Sequence, residues 1–135
     1  MNKAAFFDRD GTINVDVHYL HRKEDMKFID GMPEFIKKWN DWGYKVIVVT
    51  NQAGIARGLY TEEDMRELHR FMNEELQKYG AHIDAFYFCP HHPDFTGPCK
   101  CRKPESGMIE QAIKDFDIDV SQSVLFGDKI WDIQA

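Results

Sequence analysis

The residues best suited to chemistry stand near the start of the chain. Ala4–Thr12 reads A-A-F-F-D-R-D-G-T, four apolar residues running into two aspartates that flank one arginine. Two carboxylates this close repel unless a positive charge lies with them. A bound Mg²⁺ answers that need, because it takes hard oxygen ligands and works with phosphate oxygens. The plainer reading of an isolated D-x-D is an Asp-rich turn or helix cap. Here the pair follows an unbroken apolar run and precedes Gly11, which lets the chain turn away sharply, so Asp8 and Asp10 are read as a site.

A second cluster lies between positions 89 and 101. Cys89, His91, His92, Cys99 and Cys101 fall in one loop, and they include every cysteine of the chain. Thiolate and imidazole suit tetrahedral Zn²⁺, and a Cys-x-His pair followed by Cys-x-Cys can close four ligands around one ion. A closed four-ligand site is structural, and a loop with no core of its own needs the metal to hold a shape. The odd number of cysteines argues against a disulfide framework. The plain alternative is a set of free thiols.

These groups need elements to hold them. The apolar run at 3–7 without alternation predicts a strand buried on both faces of a parallel sheet. Further strands are expected near 44–49, 83–88 and 123–126, with the first strand central. Strands of such sheets present ligand groups beyond their carboxyl ends. Thr50, Asn51 and Gln52 follow the second strand as small polar donors, and Arg57 stands in a glycine-flanked loop with a fork that fits phosphate. Arg102 and Lys103 follow the cysteine loop directly. Asp128 and Asp132 follow the fourth strand, the first as a further Mg²⁺ ligand and the second as a supporting carboxylate. Pro33 marks the start of a helix running to about Trp42, and Thr61 to Asp64 has the form of a capping box with Asp in the last place. Met65, Leu68, His69, Met72 and Leu76 make one apolar face of the following helix, so His69 is read as a packed core histidine. Met108 to Phe116 marks a further helix. The stretch Ile13–Asp30 has little periodicity and is read as a solvated excursion.

Composition fits a single domain of 135 residues with 43% hydrophobic and 30% charged residues. The formal charge of −6 gives no basic footprint for nucleic acid. No stretch approaches the roughly 20 apolar residues of a membrane span, and no signal peptide layout opens the chain. The expectation is a cytoplasmic protein, monomeric, acting on a small molecule. The chain stops at Ala135, short of the helix and strand that normally complete a doubly wound sheet, which reads as a C-terminal truncation.

Asp8-Arg9-Asp10-Gly11-Thr12, Thr50-Asn51, Lys103, and Gly127-Asp128 with Asp132 resemble, in order, the motifs of the haloacid dehalogenase superfamily of phosphohydrolases. The resemblance implies an α/β fold, doubly wound and Rossmannoid, over residues 1–135, without a large cap domain. It implies that Asp8 is a nucleophile forming an aspartyl-phosphate, and that Asp10 protonates the leaving oxygen and later activates water. A narrower likeness covers nearly the whole chain. Phe7–Asp16, Thr50–Gly58, Cys89–Pro93 and Cys101–Pro104 resemble the heptose bisphosphate phosphatases. The related histidinol-phosphate phosphatases are the alternative, and they lack the Gly54–Gly58 loop in this form. A third reading is a zinc-stabilised fragment without turnover. The heptose family implies Mg²⁺ on Asp8, the Asp10 carbonyl and Asp128, and structural Zn²⁺ on Cys89, His91, Cys99 and Cys101. Substrate contacts are implied for Thr50, Asn51, Gln52, Arg57, Arg102, Lys103 and Lys129, with Asp16, Val17, His18 and Tyr19 lining the sugar site.

Overall fold

The computed structural model describes the chain except residues 18, 19, 53, 54, 56, 57, 90–106 and 127–135, and the side chain of Asn51. Among the described residues four parallel strands form one sheet. They are β1 (Ala4–Phe7), β2 (Lys45–Asn51), β3 (Ala85–Cys89) and β4 (Val124–Phe126), in the order β3-β2-β1-β4. The first strand is internal, as expected. Phe7 pairs with Val48 on one side and with Phe126 on the other.

Alternation along the strands explains why they read as continuous apolar runs. Successive side chains leave a strand on opposite faces. Ala5, Phe7, Val46 and Val48 pack with Ile36 of helix α1 (Met32–Asp41) and with Leu68, Met72 and Leu76 of helix α2 (Glu62–Gln77). Ala4, Phe6, Ile47 and Val49 pack instead with Met108 and Ala112 of helix α3 (Gly107–Phe116). Both faces are therefore covered, and apolar residues are required at every position. The capping box of α2 forms with Asp64: Thr61 Oγ1 accepts from the Asp64 N–H at 3.1 Å, and the Asp64 carboxylate accepts from the Thr61 N–H at 3.0 Å. Helix α1 begins at Met32, one residue before Pro33, with Gly31 at φ 81° as its N-cap.

The stretch Ile13–Asp30 departs from expectation in part. Residues 15–17 and 22–25, Lys27 and Asp30 are exposed as expected, but the stretch is also tied to the end of β1. Ile13, Asn14 and Leu20 are buried. The Val15 N–H bonds the Lys27 carbonyl at 2.8 Å and the Ile29 N–H bonds the Ile13 carbonyl at 3.0 Å. Met26 and Phe28 join the core of the α1 and α2 face. Its apolar residues are spaced for a bent ribbon, so neither a helical nor a strand period shows in the sequence. Among the described residues no helix is long and apolar enough to cross a membrane.

Candidate active site

Asp8, Asp10, Thr50, Asn51 and Gln52 lie at or just beyond the carboxyl ends of β1 and β2, the edge where open α/β sheets bind ligands. Asp8 is the first residue beyond β1 and is 8% exposed. Its N–H continues the ladder to the Phe126 carbonyl at 3.0 Å. On the other side β2 runs on through Thr50 to Asn51, which pairs with Cys89 at the end of β3. The Gln52 N–H then bonds the Cys89 carbonyl at 2.8 Å.

Beyond Asp8 the chain turns around one carbonyl. The Arg9 oxygen accepts from the N–H groups of Thr12, Ile13 and Asn14 at 3.2, 2.8 and 3.2 Å. Gly11 takes φ 85° within this turn, a conformation that favours glycine. The turn carries the Arg9 side chain inward, where it is wholly buried. A buried cation costs several kcal/mol unless its donors are met. Arg9 meets them with a fork onto Asp10, Nε to Oδ1 at 3.1 Å and Nη2 to Oδ2 at 3.2 Å. Nη2 also donates to the Leu20 carbonyl at 3.2 Å, and Nη1 stands 3.1 Å from His69 Nε2. The Arg9 main-chain N–H donates to Asp8 Oδ1 at 2.9 Å. Asn14 Nδ2 adds a bond to Asp10 Oδ1 at 3.0 Å. One arginine thus ties both aspartates, through its main chain to one and its side chain to the other.

His69 lies on the buried face of α2, its ring stacked on Phe86 at 4.0 Å. Burial, and then the positive charges of Arg9 and Arg66, push its pKa down from 6.5 to about 2. The ring is therefore neutral and Nε2 accepts from Arg9. Below about pH 6.5 the unfolded chain protonates this histidine and the folded chain does not, so stability falls as pH falls. From about pH 7 to about pH 5 the loss from this residue is at most about 2 kcal/mol. Thermal denaturation of His69→Gln should show a shallower acid slope than the parent, and parallel slopes would refute this.

A second network supports the β2 end. The Tyr60 hydroxyl donates to Gln52 Oε1, and Gln52 Nε2 donates to Thr50 Oγ1 at 2.8 Å. All three residues are buried. The His21 ring stacks on Tyr60 at 5.0 Å, which joins the folded-back ribbon to this network. Gln52, grouped by its sequence position with the substrate donors, directs its amide to protein partners here.

Asp16 and Val17 are exposed on the ribbon. Cys89 is fully buried, and its sulfur is disulfide-bonded. This bond departs from the expectation of a chain without a disulfide framework; Cys99 and Cys101, the other sulfurs expected on zinc, lie outside the described residues. His18, Tyr19, Arg57, His91, Cys99, Cys101, Arg102, Lys103, Asp128 and Lys129 lie outside the described residues. Among the described residues no group of three His, Cys, Asp or Glu side chains converges. The donors that are in place, the carboxylate of Asp8 and the main-chain carbonyl of Asp10, are hard oxygens and fit Mg²⁺ rather than a soft metal. Sequence reasoning passed over Arg9, Asn14 and Tyr60 as contributors. For Arg9 a signal existed, since a cation between two aspartates beside a buried strand must find acceptors nearby.

Comparison with known proteins agrees with this geometry. The family model described as polynucleotide kinase 3 phosphatase matches residues 3–130. A D-glycero-β-D-manno-heptose-1,7-bisphosphate 7-phosphatase of Haemophilus influenzae is 45% identical over all of this chain and 76% of its own length. A D-glycero-α-D-manno-heptose-1,7-bisphosphate 7-phosphatase of Photorhabdus laumondii is 46% identical over 98% of the chain and 75% of its own length. The crystal structure of a D,D-heptose 1,7-bisphosphate phosphatase from B. bronchiseptica, complexed with magnesium and phosphate, superposes with a TM-score of 0.90 at 32% identity, over 98% of this chain and 73% of that one. The chain spans about three quarters of the length of these relatives. It belongs to the polynucleotide kinase 3 phosphatase family as that model defines it and, with these relatives, to the heptose bisphosphate 7-phosphatases of the haloacid dehalogenase superfamily.

Proposed function

We propose that the protein removes the C7 phosphate of D-glycero-D-manno-heptose 1,7-bisphosphate, in the synthesis of nucleotide-heptose precursors of surface glycans. The observation that carries this reading is the Asp8-Arg9-Asp10 turn. It sets two carboxylates at the carboxyl edge of the sheet and holds each by a different part of one arginine. Asp8 continues the direction of β1, which supports reading it as the carboxylate that attacks phosphorus in line. As its oxygen bonds phosphorus, the bond from phosphorus to the sugar oxygen breaks, and Asp10, protonated at that moment, gives its proton to that oxygen and becomes a carboxylate. Asp10 then takes a proton from the water that attacks the same phosphorus, which frees phosphate and restores the Asp8 carboxylate. Thr50, Asn51, Arg57, Arg102, Lys103 and Lys129 are the proposed donors to phosphate and sugar oxygens. Asp16, Val17, His18 and Tyr19 are proposed to line the sugar, with Gln52 acting on Thr50. Asp8, the Asp10 carbonyl and Asp128 would hold Mg²⁺, which when bound offsets the repulsion between an anionic nucleophile and a phosphate dianion.

Cys89, His91, Cys99 and Cys101 are proposed to hold a structural Zn²⁺ when the thiols are reduced. The protein is proposed to act as a monomer in the cytoplasm, on a small substrate. Its net charge of −6 opposes the polynucleotide substrate that the family model's description brings to mind.

Relatives carrying the β and the α names match about equally, so both anomers belong in the test. Phosphate release should be measured with Mg²⁺ on both anomers of the heptose bisphosphate, on histidinol phosphate and on a 3′-phosphorylated DNA oligonucleotide. One heptose anomer should exceed the other two classes in kcat/KM by at least about tenfold. A preference for histidinol phosphate or for the oligonucleotide would overturn the substrate reading.

A further inference from the structure

We infer that His69 is a positioning residue for proton transfer: acting through Arg9, it sets the Asp10 carboxylate from helix α2. The inference rests on the reading of Asp10 as the proton donor and acceptor. The Arg9 guanidinium is a rigid plane, and it is anchored in three directions. Nε and Nη2 hold the two oxygens of Asp10, Nη2 also holds the Leu20 carbonyl, and Nη1 meets His69 Nε2. Fixing the Nη1 end fixes the rotation of the fork, and so the plane of the carboxylate it grips. His69 can do this because its own ring is held. It is 5% exposed, stacked on Phe86 at an interplanar angle of 10°, and uncharged, so it offers a lone pair in a set direction. Without that acceptor, Nη1 is a buried donor with its partner removed, and the guanidinium must tilt or admit water. Asn14 then remains the other side chain bonded to Asp10 among the described residues.

A histidine that only fills the core and one that positions Asp10 make different demands on the leaving group. An alkoxide leaving group needs the proton from Asp10, whereas 4-nitrophenolate leaves without one. The test uses the full chain with Mg²⁺ and the variants His69→Leu, His69→Gln and Asp10→Asn. Each is assayed with the sugar bisphosphate and, for the burst of 4-nitrophenolate, with 4-nitrophenyl phosphate. His69→Leu should lose about tenfold or more in kcat/KM on the sugar ester, but less than about threefold in the rate of the burst. His69→Gln, which offers an oxygen near the position of Nε2, should return to within about threefold of the parent on the sugar ester.

Equal losses on both substrates, no loss on the sugar ester, or a Gln variant as impaired as the Leu variant would overturn the inference. Asp10→Asn separates the two layers. If it shows no dependence on the leaving group, the reading of Asp10 fails and this inference falls with it. If it shows that dependence and His69→Leu does not, only the inference fails. Should His69→Leu not fold, His69→Phe carries the same test, since it keeps the stacked ring and removes the acceptor.

Discussion

Substitution Asp8→Asn should abolish turnover, with a loss on the order of 10⁴-fold or more, and leave no phosphate covalently trapped on the protein after a rapid acid quench. An amide oxygen lacks the charge needed to displace an alkoxide from phosphorus. The substitution keeps the shape, and its oxygen can still accept from the Arg9 N–H, so the melting temperature should change little. Asp10→Asn should fail differently. Both proton transfers are lost, a drop of about 10²- to 10⁴-fold, while any aspartyl-phosphate that forms persists longer because its water is not activated. This variant should also unfold earlier. The wholly buried Arg9 would lose its counter-charge, and breaking a buried pair costs about 3–5 kcal/mol, here nearer the lower end because the Asp10 side chain is 23% exposed. Two aspartates one residue apart are thus expected to differ in phosphoenzyme lifetime and in stability alike. Near-normal activity in Asp8→Asn would end the covalent reading. Identical quench profiles for the two variants would end the division of roles.

How far the sequence reached follows from what each residue depends on. The strands and the inner place of β1 were legible because alternate residues meet different helices, and that demand writes an unbroken apolar run into Ala4–Phe7. The capping box was legible because it is local: Thr61 and Asp64 satisfy each other. His69 was readable as a core histidine from its helical face. Its bond to Arg9 was not readable, because it spans 60 positions and depends on how α2 lies over the turn after β1. The same holds for Tyr60, whose hydroxyl bonds Gln52 eight positions away. The buried residues of the ribbon, Ile13, Asn14 and Leu20, were not legible because their burial comes from tertiary contacts and leaves no period. Asp8 and Asp10 stood out as a pair, yet the sequence did not show that Arg9 between them turns inward and becomes the piece that joins them.

Protein prepared with its thiols reduced should contain one zinc per chain, and removing that zinc should lower both the melting temperature and the turnover number. Cys89 is where this expectation meets the structure. Its side chain is fully buried at the end of β3, and its sulfur is disulfide-bonded. A zinc ligand must be a thiolate, with the metal at about 2.3 Å from sulfur. The two states exclude each other, because joining two thiolates in a disulfide removes two electrons and takes both from the metal. Treatment with diamide, which accepts those electrons, should therefore release the zinc, and a reducing thiol with added Zn²⁺ should restore it. The effect should reach the active edge through the backbone. Cys89 pairs with Asn51 in the sheet, and its carbonyl holds the Gln52 N–H at 2.8 Å, one residue beyond the Thr50–Asn51 donors. Most of the described core lies away from Cys89, so the sheet should survive zinc removal with a drop in melting temperature of roughly 5–10 °C. Cys99→Ser should lower turnover about tenfold or more by loosening the segment that carries Arg102 and Lys103, while Asp8 keeps its capacity to be phosphorylated. Reduced protein with clearly less than one zinc per chain, or Cys99→Ser with full activity, would overturn the reading of these cysteines as a metal site.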